Sequence, residues 1–367
     1  MRAFMSKSFV RLDPAILQKG MYPDSDLFYL NQDKPLLLCR GGSLIDNMAM
    51  NRLRYIASIG QQIYVSEETA RNLEHQAQFF LKEDKEAAAR YEETAKACSG
   101  FLHEVKESGQ VNMQAVVKLV SMTGSILENA DVSFLLQYTH FLDEMDNALQ
   151  GHSTDVAVLN GMMGKWLGLP EEDIKRLVMV GFLHDIGKLK VPDKILNKPG
   201  KFTAEEFEVV KKHPIYSYEI CKQSGIDDEE ILMGVRQHHE RLNGTGYPDK
   251  LVGDDIGAYA RVTAISDIYD AMVSERVYKK ASTPFEVLED FYLEQFANLD
   301  ISYVNLFMDH MVNELNGKYV ILSDGSMGQI TYIDKQNVRS PIISGANGVI
   351  QTSPDTVQVV AVCGAVI

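Results

Sequence analysis

Apolar residues over the first 65 positions recur in short runs broken by turn-forming residues, a pattern of strands and turns rather than of long helices. Asp26 to Leu30 and Leu36 to Cys39 read as strands, with Gly41-Gly42 as a turn after them. Met50, Leu53, Ile56 and Ala57 then fall at helical spacing and predict a helix over Asp46 to Ile59. A small α+β N-terminal domain is expected over residues 1–65, regulatory in role, with no catalytic constellation of its own.

The pattern changes at Ser66. As far as about Ser108 the chain is rich in Glu, Lys, Ala and Gln, lacks Pro, and places Leu73, Phe80, Tyr91, Cys98, Leu102 and Val105 at helical intervals. This predicts a long connecting helix ended by Gly109, with a second helix from Met113 to about Glu128; together they form a helical linker over 66–131. Such a stripe usually packs within its own chain, and a homodimer through the linker is the alternative.

From Val132 to Asn316 helical signals dominate. Pro170 with Glu171 and Glu172 opens one helix, Thr203 and Glu206 make a capping box for another, and Thr283-Pro284-Phe285-Glu286 repeats that box. Ala258 to Ser274 and Asn305 to Leu315 add two more, the latter closed by Gly317. After Lys318 the runs Tyr319 to Leu322, Gly328 to Ile333 and Val357 to Val362, separated by Asp324-Gly325, Asn337 and Gly345 to Gly348, predict a small antiparallel β appendage over 318–367. The fold class is therefore mainly α, a helical core over 132–317 flanked by a small α+β domain and a short C-terminal β appendage.

Composition narrows the partners. A hydrophobic content of 45% over 367 residues supports at least one large buried core. Met1 to Phe9 lack the apolar stretch of a signal peptide, and no run of eighteen apolar residues occurs, so a soluble cytoplasmic chain without membrane insertion is expected. Cys39, Cys98, Cys221 and Cys363 lie far apart and form no C-x-x-C pair, which predicts reduced packing residues. A net charge of −15 argues against a nucleic acid polymer as partner, and an anionic ligand would need local positive charge. Lys188, Lys190, Lys194, Lys198 and Lys201 face one acid, Asp193; the last four read as a solvated loop, whereas Lys188 adjoins candidate metal ligands.

Those ligands carry the chemistry. Of nine histidines, His152, His184, His213, His238 and His239 fall within eighty-eight residues, each near a predicted helix boundary. Helices that alternate in a bundle can aim such side chains into one pocket. Asp267 lies on the apolar face of its helix with Val262, Thr263, Ile265 and Ala271, so it needs a partner; a metal is favoured over Arg261 or Arg276. Imidazoles and carboxylates are the ligands of hard to borderline divalent ions, and the adjacent His184-Asp185 pair could bind one ion and bridge to a second. Two ions joined by a carboxylate suit phosphodiester hydrolysis by water, with no Ser or Cys nucleophile.

The series His184-Asp185-Ile186-Gly187-Lys188, His213-Pro214, His238-His239-Glu240-Arg241, Asn243-Gly244-Thr245-Gly246-Tyr247-Pro248, Ala260-Arg261-Val262, Ser266-Asp267-Ile268-Tyr269-Asp270-Ala271-Met272 and Arg276-Val277-Tyr278 resembles the HD-GYP family of HD-domain metal phosphohydrolases. The resemblance covers about Val132 to Asn316 and implies an HD-type helical bundle core. It also implies a phosphodiesterase that hydrolyses cyclic di-GMP to pGpG and, in many members, onward to GMP. His152, His184, Asp185, His213, His238, His239 and Asp267 match the family's metal ligands, Asp185 bridging, with iron or manganese the usual occupant.

Further roles follow from the same resemblance. Lys188 matches a phosphate contact and candidate proton donor, Arg276 and Lys279 match positions that hold the second phosphate or the guanine end, and Tyr247 stands where it could line the substrate pocket. The Gly244 to Pro248 loop corresponds to a contact surface for cyclase-domain proteins. Ala148 stands where some members use a Glu to hold a third metal, so two ions are expected here; Glu144 and Asp146 lack that helical offset. Two alternatives remain: a hydrolase of another cyclic dinucleotide, and a non-enzymatic cyclic di-GMP sensor or scaffold, against which the intact ligand set speaks.

Overall fold

The computed structural model describes residues 9–18, 20–31, 34–45, 47–79, 85–128, 148–198, 200–273, 284–293 and 298–363. The chain forms two compact units, one built from Met1–Glu83 with Val312–Ile367 and the other from Asp84–Met311.

In the first unit β1 (Phe9–Leu12), β2 (Leu27–Asn31), β3 (Lys34–Cys39) and β4 (Ile63–Ser66) form an antiparallel sheet in the order β1-β4-β2-β3. Helices α1 (Asn47–Ser58) and α2 (Glu67–Phe79) accompany it, and Leu12, Leu27, Ile45, Leu53, Ile63 and Leu73 bury a shared core. The C-terminal stretch adds β5 (Tyr319–Leu322), β6 (Met327–Asp334), β7 (Asn337–Gly345), β8 (Gly348–Gln351) and β9 (Val359–Cys363), ordered β8-β7-β6-β5-β9. Tyr22 from the N-terminal stretch packs on the Ile321 and Met327 cluster and donates its hydroxyl to the Ser323 carbonyl at 3.2 Å. β7 and β8 occupy the stretch in which Asn337 and Gly345 to Gly348 are expected as separators. Pro341 is tolerated inside β7 because its ladder with β6 is irregular there, shifting register on both sides of Tyr332.

The second unit is helical. It contains α3 (Lys85–Ser108), α4 (Met113–Leu127), α5 (Ala148–Trp166), α6 (Glu171–Leu183), α7 (Asp193–Leu196), α8 (Ala204–Val210), α9 (His213–Gln223), α10 (Glu229–Gln237), α11 (Ala258–Val273), α12 (Pro284–Leu293) and most of α13 (Ile301–Leu315). Residues 80–84, between α2 and α3, lie outside the described residues. Pro170 sits at the N-cap of α6, one place before the predicted first helical position, and Glu171, Glu172 and Asp173 fill the first turn. The Thr203–Glu206 capping box forms in both directions at α8. Thr283 lies outside the described residues, while α12 begins at Pro284. Cys39, Cys98 and Cys221 are buried. Among the described residues no helix is long and apolar enough to cross a membrane.

Close helix packing positions the site. A Cβ on Gly181 of α6 would lie 2.4 Å from the Ala157 Cα of α5, so only glycine allows these two helices to approach as they do. Gly187 is equally constrained: a Cβ there would lie 2.1 Å from the His213 carbonyl oxygen. The turn carrying Asp185 is thereby pressed against the start of α9.

Candidate metal centre

Five helices deliver the ligand candidates. His152 lies in the second turn of α5, His184 caps the C-terminus of α6 with Asp185 directly after it, His213 opens α9, His238 caps α10 with His239 next, and Asp267 lies within α11. Side chains at helix ends extend past the last turn into the space between elements, which explains why residues far apart in sequence converge. His184, Asp185, His213 and His238 are buried, with Asp267 only 8% exposed.

Two groups of donor atoms form, His152 with His184 and Asp185, and Asp185 with His213, His238 and His239; within each group the atoms lie inside 4.8 Å of one another. Asp185 belongs to both, the arrangement a bridging carboxylate needs. Asp267 adjoins both as well, its Oδ1 3.1 Å from His152 Nε2 and its Oδ2 3.8 Å from His239 Nδ1. Arg261, weighed as the alternative partner of Asp267, instead pairs with Asp254 and Asp300, each at 3.1 Å.

Backbone carbonyls set the tautomers. Nδ1 of His184, His213 and His238 lies 2.7, 2.8 and 2.8 Å from the carbonyl three residues earlier, of Gly181, Val210 and Val235. Each Nδ1–H donates to its carbonyl, so in the neutral ring it is Nε2 that faces the centre with its lone pair. His213 Nε2 and His238 Nε2 then stand 3.3 Å apart, lone pair towards lone pair. On the other side His152 Nε2 lies 3.2 Å from His184 Nε2, with Asp270 Oδ2 accepting from His152 Nδ1 at 2.6 Å.

The electrostatics point the same way. Burial and neighbouring imidazoles hold His238 and His239 well below the ordinary histidine range, and burial lowers His184, so all three favour the neutral form. Burial opposes ionisation of Asp185, but the Lys188 ammonium outweighs it and holds the carboxyl well below its usual range. For Asp267 burial is likewise overcome, by the His152 hydrogen bond. Burial disfavours charge on His152 too, yet hydrogen bonds to Asp185, Asp267 and Asp270 raise it well above its ordinary value. This pocket therefore demands positive charge, and its nitrogen and oxygen donors fit a divalent cation. Asp185 Oδ1 supports the fit, being buried without a hydrogen-bond partner although His213 Nε2 is 3.1 Å away.

The remaining sequence candidates divide. Lys188 is one-fifth exposed and its ammonium bonds Asp185 Oδ2, so it stands at the mouth of the cluster. Tyr247 stacks on His239 with ring centroids 4.6 Å apart. Arg276 and Lys279 lie outside the described residues, as do Glu144 and Asp146, while Ala148 is the first residue of α5.

Several supporting residues carried no assigned role in the sequence reading. Ser217 is buried; its hydroxyl donates to the His184 carbonyl at 2.7 Å and accepts from Gly187 N–H at 2.8 Å, bracing the His184-Asp185 turn. Glu240 accepts the backbone N–H groups of Asp249, Lys250 and Leu251 at 2.6, 3.0 and 3.1 Å and so shapes the loop that carries Tyr247. Asp270, three residues after Asp267 on the same helical face, orients His152. That spacing was the one local signal available for it.

Residues 138–300 match the HD domain family. The chain is 34% identical over 203 residues to the cyclic di-GMP phosphodiesterase response regulator RpfG of Xanthomonas campestris, covering 54% of this chain and 53% of that one. It is 30% identical over 225 residues to 3'3'-cGAMP-specific phosphodiesterase 2 of Vibrio cholerae, covering 58% of this chain and 42% of that one. The chain thus spans about half the length of the curated relatives it matches. In fold it is similar to Bd1817, a HDG"Y"P protein from Bdellovibrio bacteriovorus, with a TM-score of 0.52 at 18% identity over 82% of this chain and 98% of that one. The ordered motifs from His184 to Asp270 all lie within the segment that matches the HD domain family.

Proposed function

We propose that this protein is a metal-dependent phosphodiesterase that hydrolyses cyclic di-GMP to pGpG and onward to GMP. The observation that carries the reading is the convergence of unprotonated imidazole nitrogens on the buried carboxylate of Asp185. His152, His184 and Asp185 would hold one ion, and Asp185, His213, His238 and His239 the second, with Asp267 serving beside both. Iron and manganese suit this mixed set of nitrogen and oxygen donors. Bound there, such ions supply Lewis-acid stabilisation of phosphate charge and lower the pKa of water.

The chain's own residues do the rest. Water adds its oxygen to phosphorus as the bond to the ribose 3' oxygen breaks, and that oxygen leaves with a proton. The Lys188 ammonium, held at the mouth by Asp185, is a cation and proton source beside the cluster. The Tyr247 ring, fixed against His239, offers a flat apolar wall for a base. Arg276 and Lys279 are assigned to the second phosphate or the guanine end, the guanidinium fork suiting two phosphate oxygens and the ammonium supplying a compact charge. On this reading the protein acts in the cytoplasm. The likeness to a cGAMP-specific enzyme makes cyclic GMP-AMP the competing substrate.

The test is turnover by the full chain, loaded with Fe(II) or Mn(II) under anaerobic conditions and given each cyclic dinucleotide separately. Faster conversion of cyclic di-GMP, with pGpG appearing first, is expected. Faster conversion of cyclic GMP-AMP transfers the reading to that substrate, and binding without turnover replaces the enzyme with a sensor.

A further inference from the structure

Beyond the ligand shell a buried polar chain runs away from the metal centre to a helix that contributes no ligand. Asp270 Oδ2 is 2.6 Å from His152 Nδ1, and the carboxyl of Asp270 is hydrogen-bonded in turn to that of Asp155. The Tyr91 hydroxyl donates to Asp155 Oδ1. Tyr91, Asp155 and Asp270 are exposed by only 1%, 2% and 1%, so no solvent replaces these bonds if one is lost. Burial and the facing Asp270 carboxylate raise Asp155 well above the usual carboxyl range. The run of hydrogen bonds joins the Tyr91 hydroxyl to Asp155, Asp155 to Asp270, and Asp270 to His152.

Tyr91 belongs to α3, the first helix of the second unit, directly after residues 80–84 in the chain. Its fully buried hydroxyl is 64 positions from Asp155 in sequence, so nothing local explains the pairing. A phenylalanine would fill the same volume, and a hydroxyl without a partner would be costly there. Its place in the relay gives that hydroxyl a use.

We infer that Tyr91 is a positioning residue of the metal centre, by which α3 sets the orientation of His152 through Asp155 and Asp270. This rests on His152 being a metal ligand, as in the function proposed above. A displacement of α3 that broke the Tyr91 bond would loosen the ion held by His152 and leave the His213, His238 and His239 side unaffected. The linker helix would then tune metal occupancy, and with it activity, without touching substrate.

Mn(II) binding to the full chain, followed by equilibrium dialysis and electron paramagnetic resonance, tests this without reference to turnover. Tyr91→Phe keeps the ring and should weaken one of two Mn(II) ions about tenfold, the low end of the range for outer-shell partners, while the other ion is unchanged. In an Asp270→Asn background the same substitution should add nothing, because the relay is already cut. Asp155→Asn, which retains a donor and an acceptor at the middle of the relay, should stay within about twofold of wild type, and it serves if Tyr91→Phe melts early. Equal affinity in wild type and Tyr91→Phe, additive effects in the double variant, or equal weakening of both ions would overturn the inference. Absence of tight Mn(II) in the wild type would instead overturn the metal reading itself.

Discussion

The two units bury very different interiors. The first closes over aliphatic side chains, and its buried Gln76 side chain accepts from Tyr22 N–H and donates to the Tyr22 carbonyl, both at 2.8 Å. The second buries His184, Asp185, His213, His238, Asp155, Asp267 and Asp270 within one region. Ionisable groups packed this way cost stability unless something compensates them, and an apolar core of equal volume would be easier to form. A fold retains such a cluster where a ligand supplies the missing charge. The contrast separates a unit built on an apolar core from a unit built around an ionisable cluster, inside one chain.

Substitutions can break or sharpen that contrast. Asp185→Ala should have the largest effect, removing the carboxylate common to both ligand groups; metal content should fall to background and turnover should vanish, as read by elemental analysis and product chromatography. Leu27→Ala, in the fully buried apolar core of the first unit, should cost about 2–5 kcal/mol in denaturant unfolding while leaving Mn(II) affinity unchanged. Ser217→Ala leaves the Gly187 N–H and the His184 carbonyl without their bridge, and should cost about 1–3 kcal/mol together with a measurable loss of metal affinity. Thr203→Ala removes a helix cap far from the chemistry and should cost about 1 kcal/mol, with metal binding intact.

Acid offers a smaller test. Burial disfavours the charge on Asp300, but Ser302 and Arg261 outweigh it and hold the carboxyl below its ordinary value. Its contribution is therefore complete above the unfolded pKa of about 3.9 and is lost as the pH falls through the lower folded value. Melting curves of wild type and Asp300→Asn should differ at neutral pH and converge only below the ordinary aspartate range.

The convergence of the candidate ligands was legible because their chemistry is written in residue type: five histidines and two aspartates spaced through successive helices are the donors a metal would take. The helix boundaries were legible for the same local reason, since Thr203, Glu206 and Pro170 act within one turn of themselves. Long-range support was not. Nothing near Tyr91 announces Asp155, and nothing near Ser217 announces the His184-Asp185 turn, because each pairing exists only after helices have packed. Gly187 could be read as a flexible residue but not as the point where α9 presses on the metal turn. β7 and β8 were hidden by Pro341 and by glycines that signal turns locally, while ladders on both sides of β7 overrode that preference.

The most direct measurement of the central claim is the metal content of full-length protein purified without air, compared with Asp185→Ala prepared in parallel. Two ions of iron or manganese per chain in the wild type, and none retained by the variant, are the expected result. Wild-type protein that holds no more divalent metal than the variant, even after anaerobic loading, would contradict it.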